Sequence, residues 1–166
     1  MQAPPIKVRA FGPDDTQSVF DVILPIQRDE FGIAITAADQ PDLLAIPDFY
    51  QNGAGGFWVA IVENRVAGTI GLKDIGNAQA ALRKMFVSAP YRGKEHGIAG
   101  RLLQTLIDHA KREALAEIFL GTTDKFLAAH RFYEKNGFAE IAKANLPPAF
   151  PVMAVDSKFY VRDLSK

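Results

Sequence analysis

The chain has 166 residues, and its 19 Lys+Arg balance 19 Asp+Glu to a formal charge of zero. A balanced chain has no general electrostatic grip on a phosphate backbone, so nucleic acid is not an expected partner. Cysteine is absent, which excludes disulfide frameworks, thiolate metal sites and cysteine nucleophiles. The length suits a single domain over residues 1–166, and no repeat, low-complexity tract or linker-like shift in composition divides it. Residues 1–9 hold no apolar stretch of signal-peptide type, and no run approaches the ~20 apolar residues of a membrane span. The cytoplasm is therefore the expected compartment, with no membrane partner.

In chain order, residues 6–10 alternate as a short strand, and Pro13, Asp14 and Asp15 then open a helix whose apolar side is Val19, Val22, Ile23 and Ile26. Pro25 should kink or shorten it. A second helical stretch over residues 41–50 is interrupted by Pro47, and residues 52–56 follow as a glycine-rich loop. Residues 57–63 and 66–72 read as a hairpin turning at Asn64-Arg65, with a third strand at 79–87 after a turn at residues 74–77. The strongest helix covers residues 97–114, where Ile98, Leu102, Leu103, Leu106, Ile107 and Ala110 form one apolar stripe. A strand at 117–121, a helix from about residue 124 to 135, a strand at 138–142 and a last strand at 152–164 complete an α+β order with one βαβ crossover.

The segment from Met85 to Leu103 runs from a strand through a basic, glycine-rich loop (Arg92, Gly93, Lys94, Gly97, Gly100) into the long helix. Glycines let a backbone approach a ligand, the first amides of a helix lack intrahelical partners, and the helix dipole adds about half a positive charge there. Such a loop is an anion cradle that a pyrophosphate would fit. It is not a Walker A loop, which needs a glycine where Ser88 stands and a Ser or Thr where Glu95 stands. Nor is it a dinucleotide fingerprint, because it follows antiparallel strands and not the first strand of a βαβ unit.

Lys94-Glu95-His96-Gly97-Ile98-Ala99, ahead of a leucine-rich helix, resembles motif A of the GNAT superfamily of N-acetyltransferases, Gln/Arg-x-x-Gly-x-Gly/Ala. Arg92-Gly93-Lys94 is split from Gly97-Ile98-Ala99 by an extra Glu95-His96. Further on, Phe132-Tyr133-Glu134-Lys135-Asn136-Gly137-Phe138 resembles the family's motif B, a helix ending in Phe-Tyr-x-x-x-Gly-Phe. The similarity runs from about residue 57 to 138. It implies the three-layer fold of acyl-CoA N-acyltransferases, a mixed, mostly antiparallel twisted sheet flanked by helices. It also implies an enzyme that moves an acetyl group from acetyl-CoA to a primary amine by direct attack. The pantetheine would pair with the backbone of Met85, Phe86 and Val87. The pyrophosphate would lie on Arg92, Gly93, Lys94, Gly97, Ile98, Ala99 and Gly100. Homodimerisation through an edge strand or the C-terminus is a family-like expectation.

Tyr133 matches the family's general acid, and the chemistry suits it: a phenol of pKa about 10 stays protonated at pH 7 beside a leaving thiolate whose thiol has a pKa near 8.5. The alternative is an amphipathic tyrosine filling a helix end. Arg131 is either a phosphate contact or a solvated surface residue. The base is open, because the strand Gln79-Ala80-Ala81-Leu82-Arg83-Lys84-Met85 has no acid where many relatives place a glutamate. Glu63, Asp74, Glu30 and His130 are substitutes by type, as is a water chain ending on a carbonyl. Phe126 stands where many relatives carry a cofactor-contacting asparagine. His96, His109 and His130 share no ligand spacing, so no metal is expected. The acceptor, expected to be a small-molecule amine, would meet Gln27, Phe31, Tyr50 and the segment Pro147-Pro148-Ala149-Phe150-Pro151. A catalytically silent acyl-CoA sensor and a protein lysine or N-terminal acetyltransferase are the alternatives.

Overall fold

The computed structural model describes residues 5–93, 97–124 and 127–165. Seven strands form one sheet in the order β1-β2-β3-β4-β5-β7-β6. They are β1 (Ile6–Ala10), β2 (Gly56–Val62), β3 (Arg65–Gly76), β4 (Gln79–Val87), β5 (Glu117–Thr122), β6 (Ala139–Ile141) and β7 (Lys158–Asp163). Every neighbouring pair is antiparallel except β4 and β5, which are joined in parallel through the helix α4 (Ile98–Arg112). The meander and crossover are those expected from the sequence, while the turns move. Val62 pairs with Arg65, so Glu63 and Asn64, at φ 51° and 64°, make the first turn, one residue earlier than Asn64-Arg65. β3 runs on to Gly76, and the second turn is Asn77-Ala78, at φ 56° and 59°. Two left-handed residues match the twist of a two-residue hairpin.

One face of the sheet is covered by α4 and by α5 (Leu127–Lys135), which bury Leu102, Leu103, Leu106 and Tyr133 on Ile70, Leu72, Leu82 and Ile118. The other face carries α1 (Thr16–Pro25), α2 (Pro41–Leu44) and α3 (Ile46–Phe49), whose Val19, Ile23, Leu43 and Ile46 cover Phe57 and Val59. Pro25 does end the α-helical hydrogen bonding: residues 26–30 widen into a π turn closed by Phe31 N to the Ile26 carbonyl at 3.0 Å. The break in the second stretch falls at Ala45, because Pro47 is tolerated only in the first turn of a new helix. The last strand is shorter than the expected 152–164. β5 ends at Thr122, opposite Lys158, so the preceding residues have no ladder to join, and Val152, Met153 and Val155 stay exposed in a loop. No helix among the described residues is long and apolar enough to cross a membrane.

β4 and β5 pair only at Gln79 with Glu117, Ala80 with Ile118 and Ala81 with Phe119, and then part. The cause lies in β4. Thr69 pairs with Phe86 but Gly71 with Arg83, so β4 holds one extra residue, and Lys84 takes φ 55°. Such a bulge bends its strand and sharpens its twist. It is clamped by the Thr69 hydroxyl, which donates to the Lys84 carbonyl at 2.7 Å. Beyond it, the β5-facing edge of β4 runs to Val87 without a partner strand among the described residues.

Candidate active site

The long helix begins where the glycine-rich loop ends. Gly97 caps α4 in the left-handed region at φ 63°, a conformation glycine adopts without the penalty other residues meet. The first intrahelical bond is Arg101 N to the Gly97 carbonyl at 3.1 Å, which leaves the amides of Ile98, Ala99 and Gly100 ahead of the ladder. Ile98 is buried in the core, whereas a Cβ on Gly100 would meet nothing within 4 Å. The helix start is thus anchored on one side and open on the other. Close packing makes the anchor: a Cβ on Gly68 of β3 would lie 3.0 Å from Leu102 Cδ1 and from the Phe86 carbonyl. Lys94 and the Glu95-His96 pair lie outside the described residues, as does Phe126. Arg92 is engaged elsewhere than expected. Its Nε donates to the Val87 carbonyl at 2.8 Å, and its fork meets both oxygens of Glu30 at 2.7 and 2.9 Å. That pair is half exposed and worth little, so a phosphate could exchange for Glu30.

Met85, Phe86 and Val87 lie on the free part of β4, and their side chains alternate. Met85 and Val87 pack towards α4 and α5, and Phe86 sits against Phe31 with 6.5 Å between ring centres. Tyr133 is brought to the same place. Its hydroxyl donates to Met85 Sδ at 3.8 Å, and its ring packs on Phe132, Phe138 and Tyr160. Burial pushes the Tyr133 phenol up to about 12, so it stays protonated over the whole working range. A weak sulfur acceptor leaves the O–H available to a better one.

The opposite face of the bulge is polar. Arg83 and Lys84 are consecutive, yet both reach towards the α2 and α3 side. Arg83 lies 5.6 Å from the centre of the Phe49 ring, while Lys84 Nζ donates to Gln40 Oε1 at 2.8 Å and stands 3.7 Å from Asp42 Oδ2. Gln40 and Gln27 exchange amide hydrogen bonds at 2.9 and 3.0 Å, and the Tyr50 hydroxyl donates to Asp42 Oδ2 at 2.6 Å. Burial lowers the Lys84 pKa and raises that of Tyr50. The sequence pointed to Gln27 and Tyr50 but not to Lys84, Gln40 or Asp42. The available signal was the Arg83-Lys84 pair itself, since two adjacent cations in an alternating strand demand either an exposed face or a bulge.

Of the four acid or histidine substitutes for a base, His130 lies one turn before Tyr133 on α5 and packs with it on the Tyr160 ring, while Glu30, Asp74 and Glu63 lie on other elements. Glu30 holds Arg92. Asp74 accepts the amides of Ala54 and Gly76, both at 2.9 Å, which keeps its carboxyl below the usual range. Glu63 is a hairpin-turn residue, and buried His130 has Nε2 2.8 Å from the Thr123 carbonyl. Arg131 is exposed. A surface concavity of about 470 Å³ lined by Ser18, Asp21, Asn64, Arg65, Ser88 and Tyr91 includes none of Met85, Tyr133 or residues 97–100.

The family model of the Acetyltransferase (GNAT) family matches residues 20–138. A crystal structure of a GNAT-family acetyltransferase from Staphylococcus aureus Mu50 superposes with a TM-score of 0.91 at 41% identity, covering 96% of this chain and 99% of that one. Among curated proteins, N-acetylaspartate synthetase of Xenopus tropicalis is 35% identical over 111 residues, 64% of this chain and 40% of that protein. The chain therefore spans about two fifths of that relative's length. N-acetylglutamate synthase from Neisseria gonorrhoeae, solved with coenzyme A and N-acetyl-glutamate, shares the fold at TM-score 0.74 and 18% identity, over 98% of this chain and 36% of that one. With the family model over most of its length and a full-length structural match at this identity, the chain belongs to the GNAT acetyltransferase family.

Proposed function

We propose that the protein transfers an acetyl group from acetyl-CoA to the primary amine of a small molecule by direct attack. The observation that carries this reading is the placement of the Tyr133 hydroxyl against Met85, on the stretch of β4 that has no partner strand. A thioester lying along that edge would meet the backbone of Met85, Phe86 and Val87, taking the Val87 carbonyl from Arg92 Nε, and its pyrophosphate would meet the leading amides of α4 at Ile98, Ala99 and Gly100. Acetyl-CoA supplies the activated acyl group, and the protein's own work is to hold it, present Tyr133 to its sulfur and bring an amine to its carbonyl. Transfer also needs a deprotonated amine, because at pH 7 an alkylamine of pKa ~10.4 is neutral in only about one molecule in 2,500. The names of relatives such as N-acetylaspartate synthetase support a small acceptor.

A catalytically silent acyl-CoA sensor is the second reading, favoured by the engagement of Glu30 with Arg92, of Asp74 with the Ala54 and Gly76 amides and of His130 with the Thr123 carbonyl. Calorimetric titration with acetyl-CoA and CoA, followed by thiol release with amines, separates the two. Binding with turnover supports transfer, binding without turnover on any amine supports the sensor, and absence of binding overturns both.

A further inference from the structure

The sheet face opposite Tyr133 carries two opposite charges that do not neutralise each other. Parallel pairing of β4 with β5 stops at Ala81 and Phe119. Two residues onward along each strand returns to the same face, so the next positions across the opening are Arg83 and Gly121. Arg83 rests over Phe49, and its Nη2 touches Met153 Sδ at 3.4 Å. Among the described residues no carboxylate lies within ion-pair distance of it. On the far bank, the space over Gly121 is taken by Asp156: a Cβ on Gly121 would lie 2.6 Å from Asp156 Oδ2. That carboxylate accepts the Met153 amide at 2.9 Å and, among the described residues, likewise forms no ion pair. Burial raises the Asp156 pKa, and the charge of Arg83 opposes the rise.

Holding partly buried opposite charges apart is costly unless something completes each of them. A guanidinium fork braced by an aromatic ring is suited to a planar carboxylate, and a partly buried carboxylate to an ammonium. Resting on the acetyl-transfer reading, we propose that the acceptor is a free amino acid, its carboxylate seated on Arg83 and its ammonium on Asp156, which takes the proton that frees the nucleophile. Nitrogen then attacks the thioester carbonyl from this face, the C–N bond forms and the C–S bond breaks, with Tyr133 on the opposite side of the sheet. Of the two protons nitrogen loses, one passes through Asp156 to solvent and the other balances the CoA sulfur, which leaves as the thiol. Lys84, already held by Gln40 and Asp42, is a flanking charge and not the carboxylate's ligand.

The test measures thiol release from acetyl-CoA with the common L-amino acids beside their α-decarboxylated amines. At least one amino acid is expected to exceed its amine by about tenfold or more in kcat/KM, as a lost charged hydrogen bond implies. Arg83→Gln should raise KM for that amino acid about 10- to 100-fold and so remove most of its advantage over the decarboxylated amine. Asp156→Asn should lower kcat by about 10²-fold or more with the KM for acetyl-CoA unchanged, and Asp156→Glu should restore part of it. If acetyl-CoA binds but amino acids are not turned over, or do no better than their amines, the amino-acid site is overturned and the donor site stands. If acetyl-CoA does not bind, the acetyl-transfer reading falls first and takes this one with it.

Discussion

Replacing Tyr133 by Phe removes one oxygen and separates chemistry from folding. The hydroxyl's contact is Met85 Sδ at 3.8 Å, and the ring is 9% exposed among Phe132, Phe138 and Tyr160, all of which a phenylalanine keeps. The fold should therefore lose less than about 1 kcal/mol. Turnover should respond differently. With burial holding the phenol at about 12, above an ordinary thiol near 8.5, the proton stays on Tyr133 until negative charge has built up on the sulfur. On the proposed reading, Tyr133 would act first by hydrogen bonding to the charge growing on sulfur, and only later by releasing its proton. A hydrogen bond to a charged group contributes about 1.5 to 3 kcal/mol, so kcat should fall about 10- to 150-fold while acetyl-CoA affinity holds. Thiol release at saturating donor, titration calorimetry and thermal melts measure the three quantities. A folded variant whose kcat stays within about twofold of the parent would refute the assignment. An alkaline loss of kcat centred near pH 10 that disappears in the variant would keep the acid assignment but refute the upward shift by burial, because that is where an unburied tyrosine titrates.

Lys84→Met should destabilise the protein by about 3 kcal/mol, since Asp42 keeps only Tyr50 as a partner in a buried setting, and adding Asp42→Asn should recover at least about 1 kcal/mol of this; strict additivity in a denaturant cycle would exclude the coupling. Asp15, which receives both nitrogens of the Arg9 fork and the Gly12 amide, has a lowered pKa, as does Asp74. Both bind protons more weakly when folded, so their stabilisation is present above the unfolded carboxylate range near pH 4 and fades as pH falls below it; Asp15→Asn should flatten that acid limb in denaturation series from pH 6 to about 2.5. Asp156 has the opposite sign. Its raised pKa favours the protonated carboxyl, so it burdens the fold at neutral pH, and Asp156→Asn is expected to raise Tm at pH 7 while turnover collapses. Gly97→Ala should cost about 1 kcal/mol and weaken acetyl-CoA binding in calorimetry, because a Cβ disfavours φ 63° at the helix cap.

What the sequence made legible were features carried by local pattern. The apolar stripe from Ile98 to Ala110 places α4, the alternation in β2 and β4 places the meander, and the glycines around the head of α4 mark where that helix begins. Register was not legible. Hydrophobic alternation pins register only where one face is polar, but β2 and β3 are buried on both faces, so a slip of one residue exchanges one apolar face for the other. The Glu63-Asn64 turn and the extra residue at Lys84 follow from pairing across strands, which one strand's composition does not encode. Asp156 was hidden for a different reason. It sits in a loop that reads as a continuation of β7, since Val152, Met153 and Val155 are strand-like residues, and only the end of β5 at Thr122 decides that they are not paired.

The bulge at Lys84 links the two halves of the site. A regular β4 would have continued its ladder with β5 beyond Ala81, consuming the edge on which a thioester can lie, and would have sent Arg83 and Lys84 to opposite faces. One inserted residue prevents both. The strands part, the backbone of β4 up to Val87 is left for a ligand, Met85 turns towards Tyr133, and both cations turn towards α2 and α3. The strained φ of Lys84 is offset by the Thr69 hydroxyl on its carbonyl and by Gln40 and Asp42 on its ammonium. Strain held in place by so many contacts is the kind found where geometry serves chemistry. It explains why the open edge of β4 and the two cations on one face arise together: any change that repaired the strand would close the first and scatter the second.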